Sequence, residues 1–343
     1  MSEDNDIDSI QECRLLFNKP IEDESAGILL RSRLMAIATR MGFVESKRQS
    51  MALSAAEMVS NQIKHAAKHG LIQIWQQPGS LDLFGLDFGL GIDDISRAQE
   101  DGYSTVNTLG KGLGTILRVP DQSGIYTRKP TANADWHGTA VWCRFTLPAT
   151  PGKLPFSLGL YCRAFSDARY NGDRIYFQHR GEVLRWLHLD GLGHGEEAQL
   201  TTGNLGTYVN HGQPLSEVLR TLNQRLTRTR GAVGMVSEVS YKEGRLNILG
   251  VGDMSAHLYD GEQFENFSFA PGILGHEHKT PTLISAIVKR KSTIFTASDG
   301  IRRGWDHTTF PALLNHHPQL IAYVLGNIKG RVSDDQSLCV VRF

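Results

Sequence analysis

The sequence has no excess of charge of either sign. Lysine and arginine total 36 residues, aspartate and glutamate also total 36, and the formal net charge is zero at pH 7. A protein that is held on nucleic acid or anionic lipid by a basic surface needs an excess of positive charge. We therefore expect neither a nucleic-acid partner nor a membrane partner.

Cysteines are few, and long apolar runs are missing. Cys13, Cys143, Cys162 and Cys339 are too scattered for a zinc site or a disulfide framework. No apolar run approaches the roughly 18 residues that a membrane span requires. The N-terminal stretch MSEDNDIDSIQE is acidic and polar, unlike a signal peptide. These absences predict a soluble cytoplasmic protein.

A length of 343 residues predicts two domains. The first residues are acidic and poor in large apolar groups, which predicts a loose arm or an edge element. Two helical patterns follow, and the later half is rich in strand patterns with helices at about 214–227 and 309–328. The order predicts an α+β fold. The predicted segments are an arm at 1–24, a first domain at 25–147, a linker at 148–156 and a second domain at 157–343.

The second helical pattern, about Ser46 to Lys68, carries a polar stripe of Glu57, Asn61, Lys64 and His65. An Asn side-chain oxygen suits a divalent cation bound to phosphates, and a Glu one turn earlier can accept a proton from an attacking hydroxyl. Lys64 and His65 fit phosphate contact and a solvated face equally well. The apolar face of this helix is predicted to consist of Leu53, Ala56, Val59, Ile63 and Ala66.

Two short motifs that follow the helix are suited to a nucleotide. In LDLFGLDFGLGI, Asp87 at a predicted strand end can accept a hydrogen bond from an exocyclic amine, while Gly89 and Gly91 let a ligand approach the backbone. In HGTAV, Thr139 opens a strand and can present its hydroxyl and amide to phosphate.

A glycine-rich stretch, DGYSTVNTLGKGLGT, lies between these motifs and can expose backbone amides to an anion. The succession of motifs resembles the GHKL ATPases in their small branch of RsbT-like and anti-sigma-factor serine kinases. The resemblance implies a Bergerat α/β sandwich that binds ATP and Mg²⁺, with Asn61 on the ion and Glu57 as the catalytic base. It implies nucleotide contacts from Asp87, Gly89, Gly91, Gly110, Gly112, Gly114 and Thr139.

Acidic residues stand at several predicted strand ends of the second half. An Asp-Gly pair after a strand is also a common hairpin turn, and LYDGEQF with Asp260 is predicted to be one. Carboxylates from separate strand ends can instead converge on two Mg²⁺ or Mn²⁺ ions, which activate a water for attack on a phosphoester. The candidate segments are NGDRIYF with Asp173, LHLDGLGHGEEA with Asp190, FTASDGIR with Asp299, and VSDDQSLCVVRF with Asp334 and Asp335.

The order of these segments resembles the PPM-type serine/threonine phosphatases in their compact SpoIIE/RsbX-like branch. The resemblance implies a β-sandwich flanked by helices, in which Asp190 bridges two ions and Asp335 competes with Asp334 as a ligand. His194 is suited either to contact with substrate phosphate or a metal-bound water or to a structural role in a glycine turn, and the structural role is favoured. Asp253 is expected to be structural. The implied metal ligands are Asp173, Asp190, Gly191, Asp299 and Asp334.

Together the two resemblances predict a bifunctional partner-switching regulator. Its first domain would phosphorylate a partner serine and its second would hydrolyse phosphoserine, with STAS-type antagonists or other serine-phosphorylated regulatory proteins as the implied partners. Two alternatives stay open. The first domain is a non-catalytic ATP-binding docking module, or the whole chain is a vestigial anti-sigma-like binding regulator.

Overall fold

The computed structural model describes residues 7–8, 13–66, 70–95, 112–132, 134–148, 154–209 and 212–343. The chain divides into two compact units. The N-terminal unit comprises Cys13–Thr150 and His307–Val324, and the C-terminal unit comprises Met1–Glu12, Pro151–Asp306 and Leu325–Phe343. This division places residues 307–324 with the N-terminal segment, whereas the sequence pattern alone placed them in the second domain.

The secondary structure is α+β with antiparallel sheets. The helices are α1 Glu24–Arg40, α2 Glu45–His65, α3 Gly112–Arg118, α4 Glu196–Thr202, α5 Leu215–Leu226 and α6 Pro318–Lys329. The strands are β1 Ile7–Asp8, β2 Arg14–Pro20, β3 Gly70–Gln77, β4 Ser80–Asp87, β5 Gln122–Arg128, β6 Gly138–Thr146, β7 Ser157–Arg163, β8 Asp173–Arg180, β9 Val183–Gly191, β10 Ala232–Ser240, β11 Arg245–Val251, β12 Ser255–Tyr259, β13 Phe264–Phe267, β14 Ile284–Ile287, β15 Thr293–Ala297 and β16 Gln336–Arg342. None of the helices in the described residues is long and apolar enough to cross a bilayer.

The N-terminal unit is built on a five-stranded antiparallel sheet with the order β2-β3-β4-β6-β5. Its strands alternate residues between two faces, and α1 and α2 bury apolar side chains against one of them. Strand β2 lies at the edge of this sheet, within the stretch 1–24 for which a loose arm or an edge element was predicted. Strand β5 was not predicted, because QSGIYTR is polar and follows a proline.

The apolar face of α2 differs from the predicted one. Leu53 is 46% exposed and Ala56 is also exposed, whereas Met58 is 2% exposed. The helix turns small residues inward, and a Cβ added to Gly27 of α1 would lie 3.3 Å from Val59 Cγ1. Val59 and Ala66 of the predicted face are buried, so the prediction is confirmed for these two residues and wrong for Leu53 and Ala56. The buried residues of α2 are Met51, Ala52, Ser54, Ala55, Met58, Val59 and Gln62.

A buried carboxylate attaches the start of α6 to the N-terminal sheet. Asp82 on β4 is fully buried and accepts two hydrogen bonds from the Arg144 guanidinium, each 2.7 Å long. The Tyr323 hydroxyl of α6 donates to the same carboxylate at 3.0 Å. A buried charge is tolerated when it is paired and hydrogen-bonded in this way. These bonds explain why residues 307–324 belong to the N-terminal unit.

The C-terminal unit contains two antiparallel sheets, with orders β1-β8-β9-β10-β11-β14 and β13-β12-β15-β16-β7. Side chains of β9 contact β15 and β16 in the buried space between them, which confirms the expectation of two packed sheets. Helix α5 buries one face against the six-stranded sheet and matches the helix predicted at about 214–227. Helix α6 begins only at Pro318, later than predicted, because proline favours the first helical position.

Candidate metal centre and nucleotide site

Two of the predicted acids lie opposite each other on neighbouring strands. Asp173 opens β8, Asp190 stands near the end of β9, and the strand register pairs them directly. Side chains of such a pair begin about 4.5–5.5 Å apart at Cβ, and like charges placed there repel each other. A bound proton or cation would therefore relieve the repulsion between the two carboxylates.

Asp173 has one carboxylate oxygen in use and one without a partner. The residue is 1% exposed, and its Oδ2 accepts a hydrogen bond of 2.6 Å from Ser337 Oγ. Its Oδ1 is buried without a hydrogen-bond partner among the described residues. Burial raises the pKa of Asp173, with the charges of Asp335 and Asp334 adding to the effect. A buried carboxylate oxygen without a donor is the exception in folded proteins and calls for a ligand.

Asp190 is the centre of the acidic group. Burial is the main cause that raises the pKa of Asp190, and the charges of Asp173, Asp299, Asp334 and Asp253 raise it further. Four other carboxylates therefore lie near enough to repel this one. The carboxylates of the predicted acidic segments thus lie in one region, while their roles as metal ligands stay a prediction.

Backbone packing holds Asp299 beside the Asp334 segment. Asp299 follows β15, and a Cβ added to Gly300 would come within 1.9 Å of the Asp335 carbonyl oxygen. Arg331 N donates to Gly300 O at 2.7 Å. Only glycine allows the two chain segments to approach so closely, and this approach brings Asp299 and Asp334 to the same edge. Burial and Asp334 together raise the pKa of Asp299.

The two neighbouring acids before β16 have different environments. Asp335 is 2% exposed, and its two oxygens accept hydrogen bonds from Phe165 N and Gly172 N, both 2.7 Å long. Asp334 is partly exposed, and its Oδ1 accepts only from the Asp335 amide, at 2.9 Å. Asp335 thus ties two loops together, whereas Asp334 keeps an oxygen available to a ligand.

Gly191 lets α4 approach the end of β9. A Cβ at this position would lie 2.8 Å from the Ala198 carbonyl oxygen and 3.1 Å from Thr202 Cγ2. Gly191 N also donates to Gly172 O at 3.3 Å, which joins the ends of β8 and β9. Among the described residues, no three His, Cys, Asp or Glu side chains form a group that could hold a metal ion by themselves.

In the N-terminal unit, Asp87 organises the end of β4. Its Oδ1 accepts hydrogen bonds from Gly89 N at 2.9 Å and from Thr139 N at 3.0 Å. Burial raises the pKa of Asp87, opposed by these two amides and by His65 and His137. Within the described part of the chain, no hydrogen bond reaches Oδ2, so this oxygen is available to an amine donor. The structure therefore brings together Asp87, Gly89 and Thr139.

The polar stripe of α2 runs toward this turn. A Cβ added to Gly89 would lie 3.0 Å from the carbonyl oxygen of His65, the last residue of α2. Asn61 and Glu57 lie one and two helical turns earlier, about 6 and 12 Å along the axis, and both are partly exposed. Gly91 is in the left-handed region at φ 76°, and its hypothetical Cβ would lie 2.7 Å from Arg128 O.

The loop conformation predicted for the glycine-rich stretch is wrong for two of its three candidate residues, while their nucleotide contacts stay a prediction. Gly112 and Gly114 belong to α3, and Gly114 is buried in front of the core residue Ile116. Packing of Ile116 overrides the low helix propensity of glycine here. Gly110 lies outside the described residues.

No protein-family model matches this chain, and no curated protein matches it. Its fold resembles a chain of the bacterial stressosome, described as a modular system adapted to control secondary messenger signalling. That likeness has a TM-score of 0.51 and 23% identity, and it covers 55% of this chain and 100% of the other. It shows a shared fold.

Structures of phosphatases are also among the neighbours. The PP2C phosphatase domain of the Bacillus subtilis cell fate determinant SpoIIE, with a fragment of its regulatory domain, aligns at a TM-score of 0.48 and 16% identity, covering 93% of this chain and 95% of the other. RsbX in complex with magnesium aligns at 0.47 and 16% identity, covering 55% and 97%.

Two further groups lie at the acidic site, and a structural role was favoured for both from the sequence. Asp253, expected to be structural, is exposed, and its charge raises the pKa of both Asp190 and Asp299. His194, also expected to be structural, is exposed, lies with its ring 4.7 Å from that of Phe165, and interacts electrostatically with Asp334. The dipeptide Gly252-Asp253 was the available signal for Asp253, since the same dipeptide occurs at Gly172-Asp173, although Asp253 follows β11 and Asp173 opens β8.

Proposed function

We propose that the C-terminal unit is a metal-dependent protein serine/threonine phosphatase of the PPM type. The observation that carries the proposal is the buried Oδ1 of Asp173, which has no hydrogen-bond partner among the described residues and lies beside the crowded carboxyl group of Asp190. Leaving buried like charges uncompensated is costly, and divalent cations compensate several carboxylates at once. The site therefore has the donors and the electrostatic need for such ions.

The donor set fits Mg²⁺ or Mn²⁺. Both ions prefer oxygen ligands, and Mg²⁺ in particular takes one or two carboxylates and keeps several waters. Waters would complete the coordination of each ion, because no three side chains of the described residues form a metal-holding group by themselves. Asp190 would serve both ions, Asp173 with the Gly191 carbonyl one of them, and Asp299 with Asp334 the other.

The chain's own residues hold and tune this site. When bound, the ions supply a Lewis acid for the phosphoryl group and lower the pKa of a water. Ser337 fixes the orientation of Asp173, and Asp335 fixes the loops that carry the ligands. Arg303 and Arg331, whose charges act on Asp299, are suited to attract a phosphate dianion to the exposed edge.

A metal-dependence assay tests this assignment. Hydrolysis of a phosphoserine peptide by the full chain should require Mn²⁺ or Mg²⁺ and should fall at least about 100-fold in Asp299→Ala, because one ion loses a carboxylate. Asp260→Ala, in a hairpin turn of the same unit, is the matched control and should keep its activity. Full activity of Asp299→Ala at saturating metal would refute the assignment.

We further propose that the N-terminal unit binds Mg-ATP and phosphorylates a partner serine. The observation that favours this second function is the Oδ2 of Asp87, which accepts no hydrogen bond from the described residues. It lies at a turn where glycines bring the backbone close and where the stripe of α2 ends. Asp87 would bind the exocyclic amine of adenine, Asn61 the magnesium ion, and Glu57 the proton of the attacking serine.

Serine-phosphorylated regulatory proteins, such as STAS-type antagonists, are the proposed partners of both units. Incubation with candidate partners, phosphorylated and unphosphorylated, with and without ATP, followed by phosphoserine mass measurement, separates the two activities. We expect ATP binding to depend on Asp87, and partner phosphorylation to depend on Glu57 and Asn61. If ATP binds and a verified partner never gains phosphate, the N-terminal unit is a docking module.

A further inference from the structure

A chain of hydrogen bonds crosses the core of the C-terminal unit and ends on Asp173. His188, from the middle of β9, is fully buried between the two sheets. Its Nδ1 lies 2.9 Å from Thr296 Oγ1 on β15, and its Nε2 lies 2.7 Å from Ser337 Oγ on β16. Ser337 Oγ in turn donates to Asp173 Oδ2 at 2.6 Å. We call these four side chains the relay.

Proton counting fixes the direction of every bond in the relay. A serine hydroxyl has one proton, and Ser337 gives it to the carboxylate, so its oxygen accepts from His188. His188 must then be protonated on Nε2, and its Nδ1 accepts from the Thr296 hydroxyl. The Thr296 oxygen also accepts from Trp186 Nε1 at 3.4 Å, which is consistent with Thr296 using its own proton toward His188.

The relay accounts for the asymmetry of Asp173. Ser337 holds Oδ2, while Oδ1 is left without a donor among the described residues. A serine hydroxyl rotates freely unless a second partner fixes it, and the Nε2–H of His188 is that partner. Without it, the Ser337 hydroxyl loses one of its two side-chain partners and is freer to turn away from the carboxylate, which then keeps Ser298 as its other hydrogen-bond partner.

We propose that His188 is a positioning residue for metal binding: through Ser337 it orients Asp173 so that Oδ1 is presented to a divalent cation. The proposal rests on the proposed function for the existence of that cation site. Partners in the second layer around metal ligands orient those ligands, and their loss typically lowers metal affinity about 10- to 100-fold. His188 acts here through a serine, one bond farther from the ion.

A purely structural role makes a different prediction. His188 also joins the two sheets, so its removal lowers stability whichever role it has. A structural role leaves the metal affinity of the folded protein unchanged, whereas a positioning role lowers it. Stability and affinity must therefore be measured on the same variants.

The test compares three variants of the full chain by titration with Mn²⁺, with free Mn²⁺ followed by electron paramagnetic resonance. His188→Leu removes the donor to Ser337, and we expect the dissociation constant to rise about 10- to 100-fold. His188→Gln keeps an N–H donor at the same reach, and we expect most of the affinity to return. His179→Leu is the matched control, because His179 is buried on β8 and lies 3.0 Å from the Tyr241 hydroxyl, outside the relay.

Nitrogen NMR of the metal-free protein supplies a readout independent of the ions. We expect His188 to be the neutral Nε2–H tautomer, with its Nε2 shift altered in Ser337→Ala. If His188→Leu does not fold, Ser337→Ala removes the same hydrogen bond with little change in volume and should weaken Mn²⁺ binding to a similar degree.

Three results would overturn the positioning role: wild-type Mn²⁺ affinity in folded His188→Leu, an affinity loss in His188→Gln as large as in His188→Leu, or a Nδ1–H tautomer. A wild-type chain that binds no Mn²⁺ would overturn both this role and the proposed function. A chain that binds Mn²⁺ in a His188-dependent manner without releasing phosphate from phosphoserine would overturn the proposed function alone.

Discussion

At the scale of single residues, Asp190 shows the conflict between folding and function most clearly. Its carboxyl group is buried and repelled by four other acids, so in the metal-free protein it opposes folding. Asp190→Asn should raise the unfolding free energy of the metal-free protein by about 1–2 kcal/mol, as replacement of strained functional groups often does. Urea denaturation in the presence of a chelator measures this, and a destabilised variant would contradict the repulsion.

The carboxylate of Asp260 leads to a prediction about how the stability of the protein depends on pH. The amides of Gln263 and Glu262 donate to its Oδ1, each at 3.0 Å, and with Lys289 they hold the pKa of Asp260 well below its ordinary value. A depressed folded pKa contributes stability that is present above about pH 3.9, the unfolded value, and is lost as pH falls through the folded one.

Asp260→Asn should therefore flatten part of the acid side of the stability profile and lower stability at neutral pH, because the charge that strengthens the bonds from both amides and from Lys289 is removed. Denaturation midpoints followed downward from neutral pH check this. An unchanged acid slope would show that the bonds to Asp260 also form in the unfolded chain.

At the scale of elements, the packing of α2 is tested by comparing a residue that the structure buries with a residue that the sequence predicted to be buried. Met58 is 2% exposed and Leu53 is 46% exposed. Met58→Ala should lower the unfolding free energy by about 2–4 kcal/mol, because it leaves a cavity in the core. Leu53→Ala, the matched control on the same helix, should cost less than about 1 kcal/mol. An equal loss of unfolding free energy in the two variants would instead support the buried face predicted from the sequence.

The same scale shows what a sequence can reveal. The hairpin at Asp260 was predicted and is confirmed by the antiparallel pairing of β12 with β13, because turn chemistry is local. The convergence of Asp173, Asp190, Asp299 and Asp334 was predicted because acids at strand ends are conspicuous. Their ligand roles stay a prediction.

The remaining features depend on contacts between distant segments. His188 is an alternating residue of a buried strand, and only the approach of β15 and β16 gives it Thr296 and Ser337 as partners. The buried face of α2 depends on how closely α1 approaches at Gly27. The local pattern of apolar residues predicts neither of these contacts between distant segments.

At the scale of the whole molecule, ligands should stabilise the chain by mass action. Mn²⁺ at about 100 times its dissociation constant should add about 2.7 kcal/mol to the free energy of unfolding of the C-terminal unit. Asp190→Asn should remove this gain. Calorimetry with and without Mn²⁺ measures it, and an equal gain in the variant would place the ion elsewhere.

The most direct measurement for the central claim is the rate of phosphate release from a phosphoserine-containing protein by the full chain, with Mn²⁺ and with a chelator, for the wild type and Asp190→Asn. A metal-dependent phosphatase should release phosphate only with Mn²⁺, and Asp190→Asn should lower the rate at least about 100-fold. Release that continues in the chelator, or that is unchanged in Asp190→Asn, would contradict the central claim.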